Sequence, residues 1–206
     1  GEMMKIMIES FNKFPSFQDS CNIIIHEKSP SLIKVQKNKI KKNNIKWIAN
    51  LKKLNNFPSI FLANEFFDSI PIKQFFKKKD VWFEKFVNIH KNKKPYFIKK
   101  EINIRSIEKK IAFKISDNQN FIEYSPLGLK YLNDITKFIK KNNGGLLIID
   151  YGYDKEKMRD TLQAICKKKY SNVLENIGKS DITYNINFTF TCWSNISNSW
   201  SKSMKI

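Results

Sequence analysis

The clearest pattern is a set of short apolar runs that end abruptly in acids. Asn22-Ile23-Ile24-Ile25-His26-Glu27 is β-branched and closes on Glu27. Ser59-Ile60-Phe61-Leu62-Ala63-Asn64-Glu65 rises from Pro58 and breaks at Asn64-Glu65, with Asp68 three residues on and Pro71 closing the segment. Leu146-Leu147-Ile148-Ile149-Asp150-Tyr151-Gly152 repeats the design. Runs of this length bounded by turn residues predict buried strands. Ile45-Lys46-Trp47-Ile48 predicts a further short strand. Apolar positions at helical spacing predict a helix over 2–14 ended by Pro15. A second helix starts at Ser29-Pro30, with serine as N-cap and proline at the first helical position, and a third runs over Pro126–Lys141, capped by Asn142-Asn143-Gly144-Gly145. Helices between strands that end in acids predict an open α/β sheet with its functional edge at the strand carboxyl ends.

Residues 72–124 follow a different rhythm. Gln74–Phe76, Val81–Val87, Lys110–Ile115 and Phe121–Tyr124 alternate or cluster aromatics among Lys/Asn-rich loops, which predicts antiparallel strands. Beyond the third apolar strand the chain is polar and weakly patterned to Ile206, and no internal repeat is visible.

Composition changes this picture little. With 206 residues, 41% hydrophobic and 14% aromatic, the chain can build a real core. The net charge of +19 invites a nucleic-acid reading, but only Arg105 and Arg159 are arginines. Lysine is spread with Asn and Ile along the whole chain, a compositional bias rather than the arginine forks of a base reader, so no specific nucleic-acid partner is expected. Cys21, Cys166 and Cys192 have neither disulfide nor zinc spacing, and His26 and His90 add no ligand pattern. No metal is expected, and the thiols suit a reducing, cytoplasmic compartment. No apolar run approaches the roughly 20 residues that span a bilayer.

The acids allow two readings each. Glu27, after a strand and before a capped helix, stands where a nucleotide-binding sheet holds ribose hydroxyls, or it is a loop acid at a helix start. Glu65 and Asp68 could orient a cationic or amine substrate or act as a base, or they are first-turn acids of a following helix. Asp150 could line the same cleft, though a tight turn explains Gly152 equally well. The histidines support no Ser/His/Asp or Cys/His set.

Six segments, in order over about residues 1–190, resemble the MidA-type S-adenosylmethionine-dependent methyltransferases, which include the mitochondrial complex I assembly methyltransferase. They are His26–Leu32 with Gln36; Leu62–Ile72, carrying Asn64-Glu65-Phe66-Phe67-Asp68; Glu123–Pro126; Gly145–Tyr153, carrying Ile149-Asp150-Tyr151-Gly152-Tyr153; Asp160–Ala164; and Gly178–Thr183 with Phe188. The resemblance implies a class I methyltransferase-like (Rossmann-like) open sheet with an inserted antiparallel β region. Residues 1–71 and 125–206 would be its core and 72–124 the insertion.

The resemblance further implies S-adenosylmethionine as cofactor and a protein substrate, an arginine of a complex I subunit in the mitochondrial relative. A substrate nitrogen would attack the methyl group in line. Gly1 would be the last glycine of the cofactor loop, Glu27 the ribose acid, and Asn64 and Glu65 neighbours of the methyl group. Glu65 and Asp68 would hold a guanidinium by charge-assisted hydrogen bonds. The family's first strand and most of its glycine loop precede the match, so a truncated segment with a gap in the sheet is expected. Where the family shows His-Val-Asp-Phe, this chain has Asn185-Ile186-Asn187-Phe188. The rival reading is a non-catalytic assembly or protein-binding module that keeps the fold.

Overall fold

The computed structural model describes residues 1–40 and 44–191. Lys41, Lys42 and Asn43 of the lysine-rich run, and the tail from Cys192 to Ile206, lie outside the described residues. Two compact units form, Gly1–Phe57 and Pro58–Ile206. Among the described residues no helix is long and apolar enough to cross a membrane.

In the first unit, helices α1 (Glu2–Phe11) and α2 (Pro15–Ser20) lead into strand β1 (Ile23–His26), helix α3 (Pro30–Lys39) and strand β2 (Ile45–Ile48). β1 and β2 pair in parallel, Ile23 opposite Ile45 and His26 opposite Ile48. Met4, Ile8, Ile23, Ile40 and Ile45 pack together as the core of this βαβ unit. Pro15 does not end the first helix as expected. That helix stops at Phe11, and Pro15 opens α2 from its first turn, where a missing N–H costs nothing. Ser29 caps α3 as predicted, its hydroxyl accepting from the Leu32 amide.

The second unit begins with β3 (Ser59–Asn64), β4 (Lys73–Lys78), β5 (Val81–Ile89), β6 (Pro95–Ile102), α4 (Ile104–Ile111) and β7 (Phe121–Tyr124). It continues with α5 (Pro126–Asn142), β8 (Gly144–Ile149), β9 (Gly152–Tyr153), β10 (Gln163–Cys166), β11 (Lys169–Ser171), β12 (Asp181–Thr183) and β13 (Ile186–Asn187). β3 pairs in parallel with β8 over six positions, from Ser59 opposite Gly144 to Asn64 opposite Ile149. Gly144 has φ +134°, and a Cβ there would lie 1.9 Å from the Ser59 carbonyl oxygen, so only glycine admits this close start to the pair.

Strands β6-β5-β4-β7 form an antiparallel sheet. Phe75, Trp82, Ile122 and Tyr124 from it build one core with Ile104, Ile107 and Ile111 of α4. Ala63, Phe67, Ile70, Leu132 and Ile186 build another beneath β3.

Two expectations fail in this region. Lys110–Ile115 is not a strand: α4 covers its start, with isoleucines at 104, 107 and 111 on one face. Its alternation was the tail of a helical period. β6 was not foreseen, because Pro95 opens it and Lys99-Lys100-Glu101 break its apolar pattern. The parallel strands make separate pairs, β1 with β2, β3 with β8 and β9 with β13.

Candidate functional site

The predicted site residues fall into two groups, one in each unit. In the first unit Glu27 leaves the end of β1, its amide donating to the Ile48 carbonyl at 3.0 Å. Its Oε1 accepts from the amides of Lys28 (2.8 Å) and Ser29 (2.9 Å), and its Oε2 from Gln36 Nε2 (3.0 Å). Gln36 is held in turn by Trp47 Nε1 at 2.9 Å. The carboxylate is thus fixed in direction, while each oxygen keeps acceptor capacity. Gly1 caps α1, and a Cβ on it would come 3.3 Å from Gln36 Cγ. Gly1 and Glu27 therefore border the same glutamine.

In the second unit, β3 ends in a chain reversal. Glu65 takes a left-handed conformation, φ 45°, unusual for a residue with a side chain. Its amide still donates to the Ile149 carbonyl at 2.9 Å. The turn that follows is clamped by Asp150. Asp150 Oδ2 accepts from the amides of Phe67 (2.9 Å) and Asp68 (3.3 Å), and Oδ1 from the Tyr151 amide (2.9 Å). So the acid after the third apolar strand holds the turn at Phe67 and Asp68 in place. Burial raises the Asp150 pKa against the pull of these amides.

Asp68 sits on that turn, only 4% exposed, and its Oδ1 has no hydrogen-bond partner. Burial, then the negative charges of Asp150, Glu65 and Asp181, push its pKa up to about 6. A buried carboxylate with one oxygen unpartnered and like charge around it is costly. A cation placed among these acids would relieve it. Asn64 and Glu65 stand exposed beside it. Asp181, on β12, was missed as a site residue; its matched Asp-Ile-Thr segment was the only hint. Among the described residues no three His, Cys, Asp or Glu are grouped to hold a metal.

Tyr184 closes the inner side. Its amide donates to the Asp68 carbonyl at 3.2 Å, and burial raises its phenol well above the ordinary value. Deeper in, Glu123 accepts from Gln74 Nε2 (2.5 Å), from the Thr161 amide (3.2 Å) and from the Thr161 hydroxyl. A cavity of about 20 Å³, roughly one water in size, is lined by Phe67, Glu123, Tyr184 and Asn187. Asn187, where the family shows Asp, bonds the Lys155 carbonyl and the Phe190 amide, both at 2.9 Å. Here it ties chain segments together.

Known proteins are similar to this chain. A family model described as "Putative S-adenosyl-L-methionine-dependent methyltransferase" matches residues 1–201. A Caenorhabditis elegans protein, "Protein arginine methyltransferase NDUFAF7 homolog, mitochondrial", is 30% identical over 159 residues, covering 76% of this chain and 37% of the relative. The Xenopus laevis NDUFAF7 protein arginine methyltransferase is 25% identical, covering 92% and 49%. The chain thus spans half or less of the length of these curated relatives. A crystal structure of a Burkholderia thailandensis protein bound to S-adenosyl-homocysteine superposes with a TM-score of 0.66 at 16% identity, over 84% of this chain and 47% of that one. A native structure of an uncharacterized Burkholderia thailandensis protein gives 0.68. These two show the methyltransferase-like fold. Since the family model matches almost the whole chain, the chain belongs to the MidA-type family of S-adenosylmethionine-dependent methyltransferases.

Proposed function

We propose that this chain is the core of an S-adenosylmethionine-dependent protein methyltransferase whose acceptor is an arginine side chain of a partner protein, a respiratory complex I subunit being the leading candidate. The observation that carries the acceptor assignment is Asp68 Oδ1, buried, unpartnered and surrounded by Glu65, Asp150 and Asp181. A guanidinium is planar, stays charged and offers paired donors to carboxylates. The curated relatives named as arginine methyltransferases support the same reading.

For the cofactor, the first unit carries features that suit a ribose and a close backbone approach. Glu27 is a pre-oriented acceptor for two hydroxyls, and Gly1 leaves open the space a Cβ would take against Gln36. The cofactor, when bound, supplies an electrophilic methyl group. The chain's own residues then bind and orient. Glu65 and Asp68 hold the guanidinium in one plane. Asp150 keeps the turn that carries them rigid. Asp68, whose proton affinity is raised by its neighbours, can take the proton that the guanidinium nitrogen releases on alkylation.

A second reading, a protein-binding module without catalysis, is favoured by one observation. Ile60, Leu62, Leu147 and Ile149 leave one face of the β3–β8 pair exposed. Calorimetry on the full-length gene product separates the two. Saturable S-adenosylmethionine binding that Glu27→Ala abolishes is expected. No binding to the wild type would leave the module reading in its place.

A further inference from the structure

We infer that the open edge of β6 is a docking site for an acidic, extended segment of a partner protein. The inference stands apart from methyl transfer. Among the described residues β6 is the outermost strand of the antiparallel sheet and pairs only with β5, from Ile89 opposite Pro95 to Trp82 opposite Ile102. Alternate residues of this eight-residue strand therefore turn their backbone groups to the open side. The hairpin is well fixed. Lys93 and Lys94 close its tip on His90, and the His90 ring stacks 3.8 Å from Tyr96. An edge held this rigidly costs a partner strand little ordering on the receiving side.

Charge says which strand it admits. Residues 73–102 carry ten of the chain's 38 Lys+Arg and only three of its 19 acids. That density exceeds the general lysine bias of the chain. Lys85 and Lys99 stand directly opposite each other, a like-charge pair that costs stability. Each instead rests over a ring: Lys85 Nζ lies 4.3 Å from Phe97 and Lys99 Nζ 4.6 Å from Phe83. On the other face Lys100 lies 5.1 Å from Phe86. Lys85 has Asp160 at 3.4 Å and Lys73 has Glu84 at 2.5 Å. Among the described residues Lys99 and Lys100, both on the edge strand, make no ion pair.

The rings hold these heads in position; Glu84 stands opposite Lys100 in the register but is ion-paired with Lys73. Phe97, on β6 itself, is exposed beside Lys99, offering apolar contact to an added strand. A second copy of β6 would meet lysine with lysine and be repelled, so the same residues that discourage self-pairing select an acidic strand. A peptide uses both the backbone edge and the apolar contact; a phosphate backbone uses neither.

The test is fluorescence titration of the full chain with a labelled ten-residue peptide alternating Glu and Val. Binding should weaken at least tenfold for the Lys-for-Glu peptide, for a peptide N-methylated at alternate residues, and in the double variant Lys99→Glu/Lys100→Glu. The milder Lys99→Gln/Lys100→Gln should weaken it less, should binding to the charge-reversed variant be lost through misfolding. Equal binding of the N-methylated peptide, no binding of the Glu peptide, or tighter binding of a 20-nucleotide single strand that the same lysine variants weaken would each overturn the inference.

Discussion

The parallel pair β3–β8 and the antiparallel sheet β6-β5-β4-β7 treat charge in opposite ways. The first is apolar along its strands and gathers acids where they end: Glu65, Asp68, Asp150 and Asp181. The second spreads lysines along its strands and rests their heads on Phe83, Phe86 and Phe97. Lysine on an exposed strand is cheap, since its stem packs and its head stays wet. A buried, unpaired carboxylate is expensive. The fold tolerates the cost at Asp68 in the turn that Asp150 and the left-handed Glu65 hold together. The contrast is what the proposed function predicts: stability given up at the acid cluster for chemistry.

The largest effect that would sharpen this contrast is in the antiparallel core. Phe75 is fully buried, and Phe75→Ala should cost about 3–5 kcal/mol in urea unfolding. Next, Asp150→Ala leaves the amides of Phe67, Asp68 and Tyr151 without their acceptor. It should cost about 1–3 kcal/mol and abolish methyl transfer even where the fold survives.

Asp68→Asn should do the opposite to stability. The folded carboxyl has its pKa raised to about 6 from 3.8. The folded state therefore holds the proton more tightly than the unfolded one, and stability from this group falls as pH rises between about 4 and about 6. Asn removes that penalty, so thermal melts should show the variant more stable than wild type at pH 8, with the difference vanishing below pH 4. In the same window, kcat/KM for an arginine acceptor should fall as pH drops through about 6, as the free carboxylate is protonated. The smallest effect is expected at the lysines: Lys99→Gln should change stability by less than about 1 kcal/mol.

Much of the fold was legible because its signals are local. Continuous apolar runs with abrupt ends marked β1, β3 and β8, Ser29-Pro30 marked the start of α3, and the helix expected from Pro126 is α5. β6 was hidden by Pro95 and by lysines whose rings lie on the neighbouring strand, a relation that exists only after pairing. α4 was misread because a window of six residues cannot separate period 2 from period 3.6 once lysines fill the gaps. In the proposed site, Glu65 and Asp68 were singled out from their place after a strand. The clamp by Asp150, 82 residues from Asp68, and the approach of Asp181 depend on the parallel pairing and on β12. The structural use of Asn187 likewise needed its partners in space.

The most direct test of the central claim is methyl transfer itself. The full-length gene product is incubated with methyl-labelled S-adenosylmethionine and complex I subunits, and the labelled protein is hydrolysed to amino acids. The account predicts label in methylarginine for the wild type and a loss on the order of 100-fold for Glu65→Gln. Label in methyllysine, or unchanged methylarginine in Glu65→Gln, would contradict it.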